Sequence, residues 1–155
     1  MLRLVELSPA TIVDVNSLSL KPGQEEFLSP VSYGIAATVV NPLTSWQRVV
    51  LDDDRVVGFL SANFEPDAPY EHFRSVLWRI NVDAAEQRRG IGRFAVEKLK
   101  EEASRRGVDH VNVIYEAGEP GPDAFFRSMG FEPVGETEFG EVIAQVRVES
   151  RQGTP

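Results

Sequence analysis

Residues 75–106 read SVLWRINVDAAEQRRGIGRFAVEKLKEEASRR, and the change of period inside this stretch decides the fold. From Ser75 to Val82, Val76, Trp78, Ile80 and Val82 alternate with Leu77, Arg79 and Asn81, which predicts a central β-strand. From Ile91 to Arg106 the period becomes helical. Ile91, Ala95, Leu99 and Ala103 stack on one face with Phe94 beside them, and Gly107 supplies the stop. Glu101 with Arg105 and Glu102 with Arg106 add i,i+4 pairs in the favourable order. Between strand and helix, Gly90 and Gly92 stand where a loop turns into the helix, so that successive backbone N–H groups converge on one point with the positive helix end behind them. Arg88, Arg89 and Arg93 add positive charge to this anion cradle, suited to a pyrophosphate. The same residues also fit a plain helix start whose arginines face water.

Downstream, His110 to Tyr115 returns as a strand, so strand, crossover helix and strand form a βαβ unit expected to be parallel. Pro122 to Met129 reads as a short helix stopped by Gly130, and Phe131–Glu136 with Glu141–Val148 as a closing pair of strands. Upstream, Trp46–Leu51 and Val56–Ala62 flank the polar run Asp52 to Arg55, a hairpin signal. Leu2, Leu4 and Leu7 suggest an edge strand, Pro9 opens a helix to about Val15, and a second helical piece is expected from Gln24 to about Val40, interrupted near Pro30. Residues 63–74 (NFEPDAPYEHFR) read as a loop because of their two prolines. One domain over residues 1–148 and a frayed tail over 149–155 are expected from the 155-residue length.

Composition narrows the chemistry. There is no Cys, which excludes a thiolate nucleophile, disulfides and zinc-thiolate sites. The two imidazoles, His72 and His110, lack ligand spacing, so no metal is expected. A net charge of −8 argues against nucleic acid as a partner and leans toward cations. No apolar run reaches the ~18–20 residues of a membrane span and no signal-peptide pattern is seen, so a cytoplasmic protein without membrane contact is expected. Gly90 to Ala95 also satisfies G-x-G-x-x-A, a dinucleotide fingerprint, with Glu116 at roughly ribose spacing. Against a nicotinamide-dependent reductase, seven residues, Asp83 to Arg89, separate the strand from the first glycine, and no second βαβαβ half follows.

Gln87-Arg88-Arg89-Gly90-Ile91-Gly92 matches Q/R-x-x-G-x-G/A, and strand 75–82, the helix after Gly92, the strand around Val113 and the segment Phe125 to Phe131 follow in order. In this the chain resembles the GNAT superfamily of N-acetyltransferases. A narrower likeness, carried by residues 24–28, 57–59, 77–79, 121–126 and 140–144, is to its bacterial diamine and spermidine acetyltransferase branch. The resemblance implies a mixed α/β (α+β) fold: a twisted, mostly antiparallel sheet with one splayed parallel pair at the acyl-CoA site, flanked by about four helices. It implies acetyl-CoA as cosubstrate, a small cationic amine as acceptor, direct transfer without a protein nucleophile, and a homodimer, since dimers are frequent in the family.

Carried onto this chain, the resemblance implies a CoA site at Ile80, Asn81, Val82, Gln87, Arg88, Arg89, Gly90, Ile91, Gly92, Arg93 and Phe126. A backbone N–H near Val82 would stabilise the tetrahedral oxyanion. The family's thiolate-protonating Tyr corresponds to Phe126. Three outcomes stay open: Tyr115 or Ser128 supplies the proton, water does, or the protein binds acyl-CoA with little turnover. For the base and the amine pocket the candidates are Glu65, Asp67, Tyr70, Glu71 and Glu141, with Glu71 the catalytic choice and His72 able to act through water. Trp78 and Phe94 are expected in the core, Arg79 beside a carboxylate, and His110 in a structural role. Aminoglycoside or amino-acid-like acceptors, and an acyl-CoA-binding module, are the alternatives to a polyamine enzyme.

Overall fold

The computed structural model describes residues 1–18, 43–83, 90–115, 122–138 and 140–149. In chain order the elements are β1 (Leu2–Glu6), α1 (Ile12–Asn16), β2 (Ser45–Asp52), β3 (Arg55–Phe64), a 3-10 turn (Glu71–Phe73), β4 (Ser75–Val82), α2 (Ile91–Arg105), β5 (His110–Tyr115), α3 (Asp123–Ser128), β6 (Glu132–Glu136) and β7 (Val142–Arg147). The helical piece expected over residues 24–40 lies outside the described residues, as does the tail beyond Glu149.

The strands form one seven-stranded sheet in the order β1-β2-β3-β4-β5-β7-β6. Among the described pairings only β4 and β5 run parallel, and the rest are antiparallel. This is the mixed sheet with one parallel pair expected from the sequence. Within 63–74 the structure is more regular than a loop: β3 runs on through Phe64, and Glu71–Phe73 makes a 3-10 turn.

Helices α2 and α3 cover one face of the sheet. Ile91, Ala95, Val96, Leu99 and Ala103 of α2 and Phe126 of α3 share a core with Val50, Leu60, Leu77, Ile80, Val113 and Ala144. Ile91 and Leu99 are 2% and 0% exposed, and burial of side chains this size contributes about 1.5–3 kcal/mol each, far more than the helix's surface ion pairs. Glu102 accepts from both Arg105 and Arg106, and Glu101 pairs with Lys98. On the other face Val15 of α1 packs with Val49, Leu51, Val56 and Phe59.

The strict alternation read for β4 is corrected by a bulge. Ser61 pairs with Arg79 and Ala62 with Leu77, leaving Trp78 as the extra residue. One extra residue reverses the parity, so Leu77 and Ile80, three positions apart, both enter the α2 core. Arg79 and Asn81 consequently face away from α2, and Trp78 is half-buried rather than central to the core.

Candidate functional site

β4 and β5 are paired only at Val76–Asn112 and Leu77–Val113. Beyond the bulge the two strands part, and β5 turns its other edge to β7, from His110–Arg147 to Tyr115–Val142. A gap opens along Arg79 to Val82 on one side and the end of β5 on the other. The Asp83 N–H donates to the Val57 carbonyl at 2.9 Å, and a Cβ built on Gly58 would lie 3.3 Å from the Asn81 carbonyl oxygen. Backbone groups of Asn81 and Asp83 therefore face β3. Because N–H and C=O directions alternate along a strand, those of Ile80 and Val82 face the gap. Among the candidate CoA residues, Ile80, Asn81 and Val82 line one wall.

The chain leaving β4 reaches α2 at Gly90. This glycine is the N-cap, with φ +81°, a left-handed conformation that costs an L side chain about 1–2 kcal/mol. No side chain caps the helix, and a Cβ at Gly90 would meet nothing within 4 Å. The first-turn N–H groups of Ile91, Gly92 and Arg93 have no partner within the helix itself, and Arg93 is exposed beside them. At Gly92 the requirement is close approach: a Cβ would lie 3.2 Å from the Phe125 ring, so α2 and α3 begin in contact. This geometry fits a diphosphate at the helix start and an extended amide chain along the gap. Gln87, Arg88 and Arg89 lie outside the described residues.

On the α2 side, aromatic rings pack together at the end of β5. Phe126, 1% exposed, stacks on Tyr115 at 5.6 Å and 19° and meets Phe125 and Phe131 edge-on. Tyr115 donates its hydroxyl to Asp123 Oδ1 at 2.6 Å, and Arg127 Nε holds the other carboxylate oxygen at 2.7 Å. Burial, then the Asp123 carboxylate, push the Tyr115 phenol up to about 12. Tyr115 and Arg127 in turn hold Asp123 below the usual carboxylate range. Ser128 Oγ donates to the Phe125 carbonyl at 2.6 Å on the exposed side of α3. Asp123 was not singled out from sequence: it reaches Tyr115 only because α3 folds back onto β5.

Opposite these rings, at the head of β7, Glu141 is half-buried and locked into the hairpin by Thr137, whose hydroxyl donates to Glu141 Oε1 at 3.3 Å and accepts from the Glu141 N–H at 3.2 Å. Burial lowers the Arg79 guanidinium, and the Glu141 carboxylate acts against that. Among the described residues Arg79 forms no ion pair with the carboxylate expected beside it, and Glu141 acts on it through its charge alone.

The other acidic candidates stand on the loop before β4. The Glu65 N–H donates to the Arg74 carbonyl and closes its base. Phe73 packs on Trp78 at 5.7 Å, and Tyr70 on Phe73 at 5.7 Å, carrying the loop to the level of the bulge. Tyr70, Glu71 and Asp67 are exposed there and Glu65 is half-buried, while His72 turns a buried Nδ1 inward that has no hydrogen-bond partner. His110 sits apart, bonded to Asp109 at 2.9 Å. Among the described residues no cluster of His, Asp and Glu is arranged to hold a metal, and no helix is long and apolar enough to cross a membrane.

Comparison with known proteins agrees with this architecture. The ribosomal-protein-S18-alanine N-acetyltransferase of Escherichia coli superimposes with a TM-score of 0.71 at 17% identity, covering 100% of this chain and 99% of that one. The aminoglycoside 6'-N-acetyltransferase of Enterococcus faecium gives 0.69 at 16% identity over 97% and 98%. A PaiA N-acetyltransferase from Thermoplasma acidophilum, in complex with coenzyme A, gives 0.69 at 11% over 95% and 99%. At these identities the likeness is one of fold. No curated protein matches the sequence. The profile of the acetyltransferase (GNAT) family matches residues 17–131. Because that match spans well over half the chain and the parted β4–β5 pair agrees with it, the protein belongs to the acetyltransferase (GNAT) family.

Proposed function

We propose that the protein transfers an acetyl group from acetyl-CoA directly to a small primary amine. The observation that carries this reading is the parting of β4 from β5 after Leu77, with the uncapped, glycine-started helix α2 next in the chain among the described elements. The CoA diphosphate rests on the N–H groups at Gly90 to Arg93, with Gln87, Arg88 and Arg89 adding side chains. The pantetheine arm lies along Ile80–Val82 as an added strand, and the gap-facing row that includes Val82 stabilises the oxyanion. Phe126, 1% exposed among Tyr115, Phe125 and Phe131, is a core residue beneath this site rather than a surface for the arm.

The acceptor enters past the loop carrying Glu65, Asp67, Tyr70 and Glu71. One proton of the ammonium passes to a carboxylate, Glu141 at the gap or Glu71 through water, and the amine nitrogen then attacks the thioester carbonyl. The N–C bond forms, the C–S bond breaks, the second proton passes from the nitrogen to water, and CoA departs as thiolate. Tyr115 is a poor acid for that thiolate: its pKa of about 12 lies well above the ~8.5 of a thiol, and its proton is held by Asp123. Ser128 is engaged with its own helix. Water is then the proton source for the departing sulfur. The acidic loop and the likeness to the diamine branch support a cationic acceptor. These two committed hydroxyls also favour a second reading, an acyl-CoA-binding protein with slow turnover.

A thiol-release assay with acetyl-CoA over a panel of amines separates the two. Acceptor-dependent CoA release is expected, whereas tight CoA binding without it leaves only the binding role. The double variant R88E/R89E should weaken CoA binding severely, and unchanged affinity would misplace the cradle.

A further inference from the structure

The flank of α2 turned away from the β4–β5 gap carries a second concavity. On β2, Trp46, Arg48 and Val50 alternate onto the α2 side of the sheet, where Trp46 and Val50 are core residues. On α2, Phe94, Lys98, Glu101 and Arg105 recur at helical spacing and form one stripe. β1 is the edge strand, and between β1, β2 and that stripe lies a groove of about 390 Å³, the size of a small-molecule site. Its floor is apolar: Leu2, Leu4 and Phe94 are half-buried there beside the buried Trp46.

The groove reverses the sign of a chain that carries −8 overall. Arg3, Arg48, Lys98 and Arg105 line it, against the carboxylates of Glu101 and Glu102. On the helix wall the charges are matched, since Glu102 accepts from Arg105 and Arg106, and Lys98 meets Glu101 at 3.3 Å. On the sheet wall they are not. Arg3 reaches Asp54 at 3.5 Å and Arg48 reaches Glu6 at 3.7 Å, both exposed carboxylates outside the groove, and pairs of that kind contribute little. Arg48 is also held in place: its guanidinium carbon lies 4.7 Å from the Trp46 ring centroid, and Nη1 donates to the Gln47 carbonyl at 2.7 Å. A cation ordered in advance loses less freedom when a ligand binds. Lys98 stands over the Phe94 ring at 5.5 Å, so positive charge and apolar surface are offered side by side.

We propose that this groove binds a small organic anion, a carboxylate whose head meets Arg48, with Arg3 and Lys98 beside it, and whose apolar body lies on Leu2, Leu4 and Phe94. Guanidinium geometry suits a carboxylate, and the four apolar side chains reward a body that acetate or free phosphate lacks. The site is separate from the acetyl-CoA gap, which lies on the flank of α2 where Gly92 meets Phe125, and it stands independently of the acetyltransfer reading.

The test is calorimetric titration of the full chain with phenylacetate and hexanoate, each matched with its carboxamide and its amine, and with acetate and inorganic phosphate. At least one of the two carboxylates should bind about tenfold or more tighter than its matched amide and amine, and than acetate or phosphate. Arg48→Gln should bring its affinity down to that of the amide, and saturating CoA should leave it unchanged in the wild type. Failure of both carboxylates to bind overturns the inference, as does equally tight binding of acetate or phosphate, displacement by CoA, or an Arg48→Gln variant that binds like the wild type. If Arg48→Gln does not fold, as read by circular dichroism, Lys98→Gln on the surface of α2 takes its place: weaker binding of the carboxylate but not of its amide is expected, and unchanged binding overturns the inference.

Discussion

Tyr115 shows how one contact changes what a residue is good for. From the sequence it is a candidate acid with no partner assigned; in the fold its hydroxyl ends on Asp123 at 2.6 Å. Its folded pKa of about 12 lies above the ~10 of an unfolded tyrosine. The group therefore contributes stability that is fully present below about pH 10 and is lost as pH rises through about 12. Alkaline titration of phenolate absorbance should show one of the three tyrosines with a midpoint near 12, missing in Tyr115→Phe. The same variant should keep kcat within about threefold of wild type, since removal of a true general acid costs about 10²-fold or more. A larger loss would return Tyr115 to the acid's role. Gly90 carries a different constraint. Gly90→Ala meets no atom but must hold φ near +81°, so it should lower the denaturation free energy by about 1–2 kcal/mol and weaken CoA at the helix start.

Among the elements, β4 sets the site through a single inserted residue. Without Trp78 the strand would read Leu77, Arg79, Ile80, Asn81, Val82 with regular alternation, Leu77, Ile80 and Val82 inward and the polar pair outward. Deleting Trp78 should therefore leave a folded protein with its far-ultraviolet circular dichroism intact. The straightened strand would lie closer to β5, and CoA affinity should fall by about tenfold or more, 1.4 kcal/mol, as measured by calorimetry. Affinity equal to wild type would mean that the bulge does not hold the strands apart. The strands themselves were legible because period-2 and period-3.6 patterns are local: β4 and β5 fall on Ser75–Val82 and His110–Tyr115 as read, and α2 ends one residue early at Arg105. The bulge was not legible, because an unpaired residue is defined by its partner strand, Ser61 and Ala62, and nothing in the order Leu77-Trp78-Arg79 announces it.

At the scale of the molecule, the −8 charge is unevenly spread. Asp52, Asp53 and Asp54 at the β2–β3 turn join Asp14 and Asp83 around an open cleft of about 620 Å³, next to the end of β4 rather than at the acceptor loop alone. An anionic cosubstrate near this end depends on the local arginines and helix start to outweigh that field. Binding to the native state alone stabilises by about 2.7 kcal/mol at a concentration of 100 Kd, so saturating CoA should raise Tm by about 5–10 °C, as read by differential scanning calorimetry. A nicotinamide dinucleotide should not produce such a shift, and equal shifts from both would reopen the dinucleotide reading. The sequence by itself determined the elements and the glycine turn, since hydrophobic period, helix stops and backbone freedom act over a few residues. Only the tertiary structure decided that β4 and β5 part after Leu77, that Arg79 and Asn81 face away from α2, and that Tyr115 spends its proton on Asp123. Those outcomes depend on which strands pair and how α3 folds back, contacts between residues distant in the chain that local pattern cannot encode.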